Sequence, residues 1–400
     1  MANEKIGYFG EILWVDLTAE TIEKLSLPDQ FYEQYIGGYA LGVKILFDHM
    51  PPMSDPLGPD NILGFLPGLF TGTGVPFSGR YMVVGKSPLT GTWGDANSGG
   101  YFGPAIRKCG VDGIFITGIS KEAVYLHYDG KTPSLVKADD LWGLDAVETE
   151  ENMRKKYGKS TQIAAIGQAG EKCSLISCII NNKGRAAARS GLGAVMGSKK
   201  LKAIVLNGNK KVKVYNPEKL QSISKNHIKN INIPPNFIKK LTAKALPKIV
   251  NIVTRFNFPI KVTADLMIHA LKEQGTSASN AISSETGDSP VKNWGGIGMY
   301  DFPQSRARKI GGDQYLKYKK KSYGCSACPL RCGALLSVPE KGIKEAHRPE
   351  YESSCMFGTF LLNDDVVSIM ELNDMCNRAG FDTISEPTRL DARSRMPSSA

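Results

Sequence analysis

A succession of short apolar runs occupies the first half of the chain and limits the folds available to it. The runs are EILWVDL, NILGFL, RYMVVGKS, GIFITGI, AVYLHY, QIAAIG, LISCII and KAIVLNG. Each is short and bounded by Gly, Pro, Asn or Asp, which is typical of buried β-strands. Helical patterns interrupt them at residues 29–47 and 144–157. The pattern predicts a β-rich domain over residues 1–208.

Residues 209–385 have a different pattern, in which helical sequences predominate. Lysine-rich helical segments are broken by prolines, and a further helix is predicted from Asp364 to Ala379, where Gly380 is a stop signal. We therefore expect an α+β chain, with a mainly α-helical second domain over residues 209–385. Residues 386–400 carry no apolar periodicity, and we expect them to be a non-native or unstructured tail.

The composition excludes several classes of protein. With 42% hydrophobic and 22% charged residues, the chain has the balance of a globular protein rather than a disordered one. It has no apolar run of about 18 residues, so we expect no membrane span. The first residues show no secretory signal. Clustered cysteines in such a chain are typical of metal binding in a reducing compartment, so we expect a cytoplasmic protein.

The formal net charge of +11 arises from one stretch of the chain. Between Gly208 and Val262 lie twelve Lys or Arg residues and a single acid, Glu218. Such a stretch could attract an acidic protein, an anionic membrane surface or nucleic acid, or it could be the solvated face of helices. No nucleic-acid-binding module or interleaved aromatic residues accompany the charge, so we expect no nucleic-acid partner.

Three cysteines form the sharpest motif in the sequence. Cys325, Cys328 and Cys332 have C-x2-C-x3-C spacing, and thiolates are the ligands that iron prefers in iron–sulfur clusters. A cubane cluster needs four ligands, so a distant residue would supply the fourth. Zinc is the chemical competitor, and cysteines that merely pack in a core are the third interpretation. The residues nearby in sequence that could complete a zinc site are His347, Cys355 and Cys376.

Two glycine-rich segments that contain arginine are candidate anion sites. The first contains Arg80 and the residues 97–100, and the second contains Arg185 and Arg189 before a run of small residues. Glycine lets the backbone approach a ligand closely, and arginine pairs with phosphate through two hydrogen bonds. Neither segment fits a P-loop or a dinucleotide-binding fingerprint. Tight packing of β-turns explains both segments equally well.

Taken together, these segments resemble the tungsten-containing aldehyde ferredoxin oxidoreductase family. The matching blocks are TGTGVPFSGRYMVVGKSPLTG, ANSGGYFG, AAIGQAGE, GRAAARSGLGAVMGSKKLKAI, the cysteine motif, PEYE and CNRAGFDTIS. The resemblance covers residues 6–208 and 285–385, and the lysine-rich region between them diverges. It implies that the β-rich N-terminal domain is the base for a tungsten bis-pterin cofactor and that helical domains cover it.

The resemblance also implies roles for residues at matching positions. Cys325, Cys328 and Cys332 would hold three irons of a [4Fe–4S] cluster beside one pterin. Glu352, the second acid of PEYE, matches a glutamate near the metal and would act as a general base on water or hydrogen-bond the reacting carbonyl. A surface carboxylate is the other interpretation of this residue. Contacts to the pterin and to its phosphates, which Mg²⁺ would bridge, are implied for Arg80, Asn97, Gly99, Arg185, Ala186, Ala188, Arg189, Asn377 and Asp382.

This sequence departs from the family pattern in three places. Ala188 stands where the family often has glycine, and Asn377 stands at the first acid of the D-x-x-G-L-D pterin motif. Asn377 could hydrogen-bond the pterin, but it carries no charge. The fourth cluster cysteine, a second pterin-binding acid and a histidine near the substrate lie in the family beyond the last residue of this chain. We therefore expect a C-terminally truncated enzyme.

The implied function is oxidation of an aldehyde to a carboxylic acid with water. The electrons would pass through the [4Fe–4S] cluster to ferredoxin or another iron–sulfur electron-transfer subunit, and the metal would supply the redox chemistry. Molybdenum in place of tungsten and a homodimer are compatible with the resemblance. One alternative is a related tungsten enzyme that reduces a carboxylic acid or an aromatic acyl-CoA. The other is a truncated, non-catalytic metal-binding redox or assembly module.

Overall fold

The computed structural model describes residues 6–231 and 264–395. The chain forms two compact units. The first unit consists of Met1–Lys225 together with Cys325–Cys328 and Asn377–Asp382. The second consists of Asn226–Gly324, Pro329–Cys376 and Thr383–Ala400. Two short segments from late in the sequence therefore belong to the first unit.

The first unit contains two six-stranded sheets. The strands of the first sheet are β1 (Glu11–Asp16), β2 (Thr21–Ser26), β3 (Leu63–Pro67), β4 (Tyr81–Lys86), β5 (Trp93–Ser98) and β6 (Ile114–Thr117). Their order across the sheet is β2-β1-β6-β3-β4-β5. β1 and β6 are parallel, and the other neighbouring pairs are antiparallel.

The second sheet repeats this arrangement of one parallel pair among antiparallel ones. Its strands are β7 (Val124–Tyr128), β8 (Pro133–Lys137), β9 (Gln162–Ala165), β10 (Ile179–Asn181), β11 (Arg185–Ala187) and β12 (Leu201–Leu206). Their order is β11-β10-β9-β12-β7-β8, with β7 and β12 parallel. Each apolar run of the sequence coincides with a strand, so the predicted β-rich N-terminal region is confirmed.

Helices form at both predicted helical patterns of the first unit, and further short helices were not predicted. The pattern over 29–47 forms two helices instead of one, because Ile36 (φ 60°) and Gly37 (φ 156°) break the helical backbone. The second predicted helix begins with a capping box in which Asp145 and Glu148 exchange hydrogen bonds. The bounds are Asp29–Tyr35, Gly38–His49, Phe102–Lys108, Ala146–Tyr157, Gln168–Glu171, Leu192–Ser198 and Pro217–Ile231, the last of which continues into the second unit.

One hydrophobic cluster joins the two sheets. It contains Leu13 and Ile114 from the first sheet and Leu126, Ile179 and Ile204 from the second, all fully buried. Removing this apolar surface from water is the main favourable contribution to folding. Strands buried in this way need apolar residues at consecutive positions, which explains why their sequences form runs rather than alternating patterns.

The first unit buries charged side chains, among them an ion pair and a lysine. Arg107 and Asp112 form an ion pair with side chains that are 3% and 2% exposed. The fully buried Lys199 donates hydrogen bonds to the carbonyl oxygens of Gly118 (3.0 Å) and Pro59 (3.3 Å). Burial lowers the pKa of Lys199 to about 8.

The second unit is mainly helical, as predicted, and also contains a small antiparallel sheet. The sheet has the order β13-β14-β15, with strands at Lys319–Tyr323, Gly333–Val338 and Ile343–His347. The helices are Ala264–Gln274, Asn280–Thr286, Gly298–Asp301, Gln304–Ala307, Tyr351–Phe357, Val366–Ala379, which ends in the first unit, and Ser385–Arg395. No helix within residues 6–231 and 264–395 is long and apolar enough to cross a bilayer.

The end of the chain differs from the unstructured tail predicted for residues 386–400. A helix spans Ser385–Arg395, and Glu386 accepts a hydrogen bond from Nε of Arg389 at 2.8 Å within its first turns. Helix formation needs only backbone hydrogen bonds and tolerant side chains, so a segment without an apolar stripe can still be helical. Residues 396–400 lie outside the described residues.

Candidate cofactor-binding site

The segment Cys325–Cys328 is held against two glycine-rich loops of the first unit. Ser326 donates its backbone N–H to the carbonyl oxygen of Gly100 at 3.0 Å. Phe77 donates its backbone N–H to the carbonyl oxygen of Ala327 at 3.1 Å. A β-carbon placed on Gly99 would lie 2.5 Å from Sγ of Cys325. The cysteine segment and the glycine segment therefore pack in direct contact.

Arg80 and Asn97 lie close to each other because β4 and β5 are antiparallel neighbours, with Asn97 opposite Met82. Nε of Arg80 donates to Oδ1 of Asn97 at 2.5 Å, and Nη2 donates to the Asn97 carbonyl oxygen at 3.1 Å. The amide of Asn97 donates to the Tyr39 hydroxyl at 3.1 Å, and burial raises the pKa of Tyr39. The structure thus brings together four predicted residues: Arg80, Asn97, Gly99 and Cys325.

The second arginine segment begins in a short hairpin. Arg185 starts β11 and pairs with Asn181 of β10, and Ala186 follows opposite Ile180. Both residues are partly buried, as is Ala188. Arg189 begins a turn of 3-10 helix, Arg189–Gly191, in which Ser190 has a φ of 70°.

The segment Asn377–Asp382 lies beside this hairpin in the first unit. Asp382 is 2% exposed, and its carboxylate is 3.5 Å from Nε of Arg189, whose side chain is 56% exposed. Backbone hydrogen bonds from Asp382 to Ile176 (3.0 Å) and from Cys178 to Gly380 (2.8 Å) fix the segment. Asn377 is buried. An arginine beside a buried carboxylate is a donor and acceptor pair suited to a heterocycle that carries phosphate.

Two predicted residues belong to the second unit. The carbonyl oxygen of Cys332 accepts a hydrogen bond from Nη2 of Arg348 at 2.5 Å. Glu352 lies in the first turn of the helix Tyr351–Phe357 and is exposed to solvent. This exposure differs from the dry pocket that a general base needs.

Sequence reasoning missed a pair of asparagines next to the glycine segment. Asn181 is fully buried, and its Nδ2 donates to the carbonyl oxygen of Gly99 at 2.9 Å. Oδ1 of Asn182 accepts the backbone N–H of Tyr101 at 2.9 Å. The dipeptide Asn-Asn at a hairpin turn is a recognisable signal in the sequence, because asparagine favours such turns. The sequence gives no signal for the hydrogen-bond partner of Asn181, the carbonyl oxygen of Gly99, which lies 82 residues away in the chain.

The chemistry of these residues fits a pterin and a metal–sulfur group in part. Guanidinium, amide and carboxylate groups around a glycine segment without β-carbons match the needs of a flat, phosphorylated heterocycle. Cysteine thiolates match iron. Within the described residues, however, no three His, Cys, Asp or Glu side chains lie close enough together to hold a metal ion. The assignment of Cys325, Cys328 and Cys332 as cluster ligands therefore depends on their spacing in the sequence.

Two other features lie away from these residues. A surface groove of about 780 Å³ in the first unit is lined mostly by apolar side chains, and none of the predicted site residues lines it. The lysine-rich stretch contains the helix Pro217–Ile231, which has no buried residue. Residues 232–261 of this stretch lie outside the described residues.

Comparison with known proteins agrees with this geometry. The model of the aldehyde ferredoxin oxidoreductase N-terminal domain matches residues 12–208, and the model of domains 2 and 3 of the same enzymes matches residues 256–390. The chain is 36% identical over 381 residues to the tungsten-containing aldehyde ferredoxin oxidoreductase of Pyrococcus abyssi. It is 35% identical over 388 residues to the enzyme of the same name from Thermococcus kodakarensis.

More distant relatives have other activities. The chain is 27% identical over 403 residues to the WOR-like subunit of an aliphatic sulfonate oxidoreductase from Pyrococcus furiosus. Among solved structures, it superposes on the active-site complex BamBC of benzoyl coenzyme A reductase with 1,5-dienoyl-CoA. The TM-score is 0.79 at 25% identity, over 98% of this chain and 57% of that one.

The extent of these matches differs between this chain and its relatives. The alignments cover 95% and 96% of this chain but 57% and 58% of the Pyrococcus abyssi and Thermococcus kodakarensis enzymes. The two domain models together account for both the β-rich region and the segment that contains the cysteine motif. The chain belongs to the aldehyde ferredoxin oxidoreductase family.

Proposed function

We propose that the protein is a tungsten-pterin oxidoreductase that converts an aldehyde to a carboxylic acid with water and passes the electrons through a [4Fe–4S] cluster to ferredoxin. The observation that carries the proposal is the meeting of Arg80, Asn97, Gly99 and Cys325 in the first unit. Three of these residues come from one glycine-rich segment, and Cys325 comes from a motif more than 200 residues later in the chain. The family membership supports the same chemistry.

The first unit supplies the residues that would bind the pterin. Arg80 is oriented by Asn97, so its remaining N–H groups can pair with a phosphate that Mg²⁺ bridges. Arg185 and Arg189 would bind on the hairpin side, with Ala186 and Ala188 allowing a close approach. Asp382 would accept hydrogen bonds from the edge of the heterocycle. Asn377 would accept them or donate them. Tungsten, or molybdenum in its place, would supply the two-electron chemistry when bound.

The cysteine motif would hold the iron–sulfur cluster. Cys325 and Cys328 lie in one short segment that two backbone hydrogen bonds, with Gly100 and Phe77, hold in place, and Cys332 follows four residues after Cys328. Gly99 leaves space at the Cys325 sulfur that any side chain would fill.

Glu352 is the proposed general base. It lies in the first turn of the helix Tyr351–Phe357. A carboxylate can accept a proton from water and orient it towards the carbonyl carbon of an aldehyde. Exclusion of solvent from Glu352 would be required for efficient catalysis, and bound substrate would have to provide it.

An acidic ferredoxin is the proposed electron acceptor, in the cytoplasm. The helix Pro217–Ile231 exposes Lys219, Lys225 and Lys229, and a basic surface speeds the encounter with an acidic partner. Neutralising these three and Lys210 should slow ferredoxin reduction and weaken its dependence on salt. Neutralising four exposed lysines elsewhere should change neither; these are Lys121, Lys131, Lys155 and Lys159. Equal effects of both sets would remove the docking proposal. A homodimer is proposed on family grounds alone.

Reduction of an aromatic acyl-CoA is the second candidate function. The superposition on the benzoyl coenzyme A reductase complex over 98% of this chain favours it. A truncated, non-catalytic redox or assembly module is the remaining alternative. Assays of the full-length protein with aldehydes and with acyl-CoA thioesters would separate the two reactions.

Metal and pterin analysis of anaerobically purified protein tests the proposal itself. Tungsten, about four irons and an oxidisable fluorescent pterin per full-length chain are expected. The variant Arg80→Gln should lower the pterin content, and Arg80→Lys should rescue it only in part because lysine cannot pair bidentately. Zinc alone, without pterin, would overturn the oxidoreductase proposal and indicate a metal-stabilised interaction protein.

A further inference from the structure

We propose that Asn181 is a positioning residue, whose amide holds the Gly99–Gly100 segment against the Cys325 thiol. The inference rests on the proposed function, because it gives Asn181 a role in preparing a cluster ligand. It adds to that function a residue that contacts neither cysteine nor pterin in the proposed arrangement and acts through the backbone.

The hydrogen bonds of the Asn181 side chain are fully used. Nδ2 donates to the Gly99 carbonyl oxygen at 2.9 Å and to Oδ1 of Asn182 at 3.0 Å. Oδ1 accepts from the hydroxyl groups of Ser98 at 2.7 Å and of Tyr81 at 3.0 Å. An amide has two donors and two acceptor positions, so each is matched. The residue is 0% exposed, which makes every one of these bonds costly to lose.

Asn182 extends the connection to the next residues of the loop. It has a φ of 48°, and its Oδ1 accepts the backbone N–H of Tyr101 at 2.9 Å. Its Nδ2 donates to Oε1 of Gln162 at 2.9 Å, in β9. Gly100, between the two attachment points, has a φ of 95°, which favours glycine. The two asparagines therefore fix the backbone on both sides of Gly100.

The fixed backbone is the surface on which the cysteine segment lies. The Gly100 carbonyl oxygen accepts the backbone N–H of Ser326 at 3.0 Å. The α-carbon of Gly99 faces Sγ of Cys325, since a β-carbon there would be 2.5 Å away. A shift of the Gly99 carbonyl would move both contacts together. Asn181 thus links the hairpin that carries Arg185 to the position of the Cys325 sulfur.

Aspartate in place of Asn181 would break this link with little change of shape. A carboxylate has no donor for the Gly99 carbonyl oxygen, and two acceptors would face each other in a buried place. The segment is then expected to move away and to uncover the Cys325 thiol. The matched control is Asn61→Asp. Asn61 is also 0% exposed and donates to two backbone carbonyl oxygens, of Pro56 (2.5 Å) and Lys86 (3.0 Å), at the other end of the first sheet.

The test measures alkylation of single cysteines in the cofactor-free full chain by peptide mass spectrometry. Asn181→Asp should raise the rate at Cys325 about tenfold, the size of one lost buried hydrogen bond, relative to the partly buried Cys173. Asn61→Asp should leave this ratio unchanged. A rise at both cysteines would mean general destabilisation and would overturn the inference, as would an unchanged ratio. If Asn181→Asp does not fold, Asn182→Ala tests the same connection and should raise the ratio by a smaller factor.

Iron loading separates this inference from the proposed function. In reconstituted wild-type protein a [4Fe–4S] electron paramagnetic resonance signal is expected on reduction, and in Asn181→Asp a broadened or weaker one. If the wild-type protein binds no iron while the alkylation ratio changes, the positioning role stands and the proposed function fails. If iron loads equally in both proteins and the ratio is unchanged, the positioning role fails and the proposed function stands.

Discussion

Gly99 and Cys325 share a space that is too small for a β-carbon. A β-carbon on Gly99 would lie 2.5 Å from Sγ of Cys325 and 3.5 Å from Nη1 of Arg80. The backbone of Gly99 does not need a positive φ, so the space beside the sulfur, rather than chain conformation, requires glycine here. One residue therefore connects the proposed pterin-binding arginine to the proposed cluster ligand.

Substitution of Gly99 by alanine should displace the cysteine segment. We expect about a tenfold weaker affinity for iron, comparable with the loss of a residue that supports a metal ligand. Iron titration of the apo protein under anaerobic conditions measures this affinity. Gly68→Ala is the matched control, because the nearest atom to a β-carbon there is 3.7 Å away, on Thr71. Equal iron affinity in the wild type and Gly99→Ala would show that the contact does not matter for the metal.

The buried cysteines should resist alkylation in the native protein. Burial raises the pKa of Cys109 and of Cys355 to about 12, so almost none of either is the reactive thiolate at pH 8. Cys325 and Cys328 are partly exposed. In the folded, cofactor-free protein, iodoacetamide at pH 8 should label the motif cysteines before Cys109 and Cys355, as measured by peptide mass spectrometry. Rapid labelling of Cys109 in folded protein would contradict the burial that the structure shows.

Lys199 should make the protein more stable as the pH rises from 8 to 10.5. Its pKa is lowered by burial to about 8 in the folded chain, from 10.5 for an ordinary lysine. The unfolded chain therefore binds more protons in this window, and the free energy of unfolding increases with pH. Relative to Lys199→Met, the wild type should gain up to about 3 kcal/mol.

Urea unfolding of the two proteins at several pH values between 7.5 and 10.5 measures this difference. The exposed Lys131 provides the control, and Lys131→Met should differ from the wild type by the same amount throughout. A constant difference between wild type and Lys199→Met would mean that Lys199 titrates alike in the folded and unfolded chains.

The ion pair of Arg107 and Asp112 should be sensitive to the loss of one partner. The carboxylate also accepts the hydroxyl of Tyr32 at 2.7 Å and the backbone N–H of Gly10 at 2.7 Å. Asp112→Asn leaves a buried guanidinium without its counter-charge and should cost about 3 to 5 kcal/mol in the free energy of unfolding. The double variant Arg107→Met with Asp112→Leu should lower the free energy of unfolding by less than the sum of the losses in the single variants Arg107→Met and Asp112→Leu. Thermal and urea unfolding give both values, and additive costs would contradict the coupling.

The sequence predicted the buried strands, because burial requires apolar residues at consecutive positions. β12 (LKAIVL) is buried along its whole length, so its residues form a continuous apolar run. β2 (TIEKLS) is an edge strand with no buried residue and four exposed residues out of six, and it escaped prediction. Apart from Trp93, β5 (WGDANS) is composed of poor strand formers, and it is extended because β4 pairs with it. Partners, rather than intrinsic preference, determine such strands.

The candidate site shows the same limit at the level of single residues. Arg80, Asn97 and Gly99 could be named in advance because their motifs are local and match a known family. Asn181 could not, because its importance comes from a hydrogen bond to a backbone atom 82 residues away. Every residue has a backbone carbonyl oxygen, so the sequence does not show which one accepts this hydrogen bond. Only the fold, in which β11 of the same hairpin contacts β5, brings the two together.

Each sheet of the first unit is built from one uninterrupted stretch of chain, residues 11–117 for the first sheet and 124–206 for the second. A ribosome that adds about 5 to 20 residues per second needs roughly 4 to 18 seconds to extend the chain from residue 118 to 206. We expect the first sheet to close during that interval, although β1 must wait for β6, about a hundred residues later. The segment 325–328 is synthesised after both sheets. The strands of both sheets are therefore synthesised before Cys325 and Cys328, which pack against the glycine-rich loops.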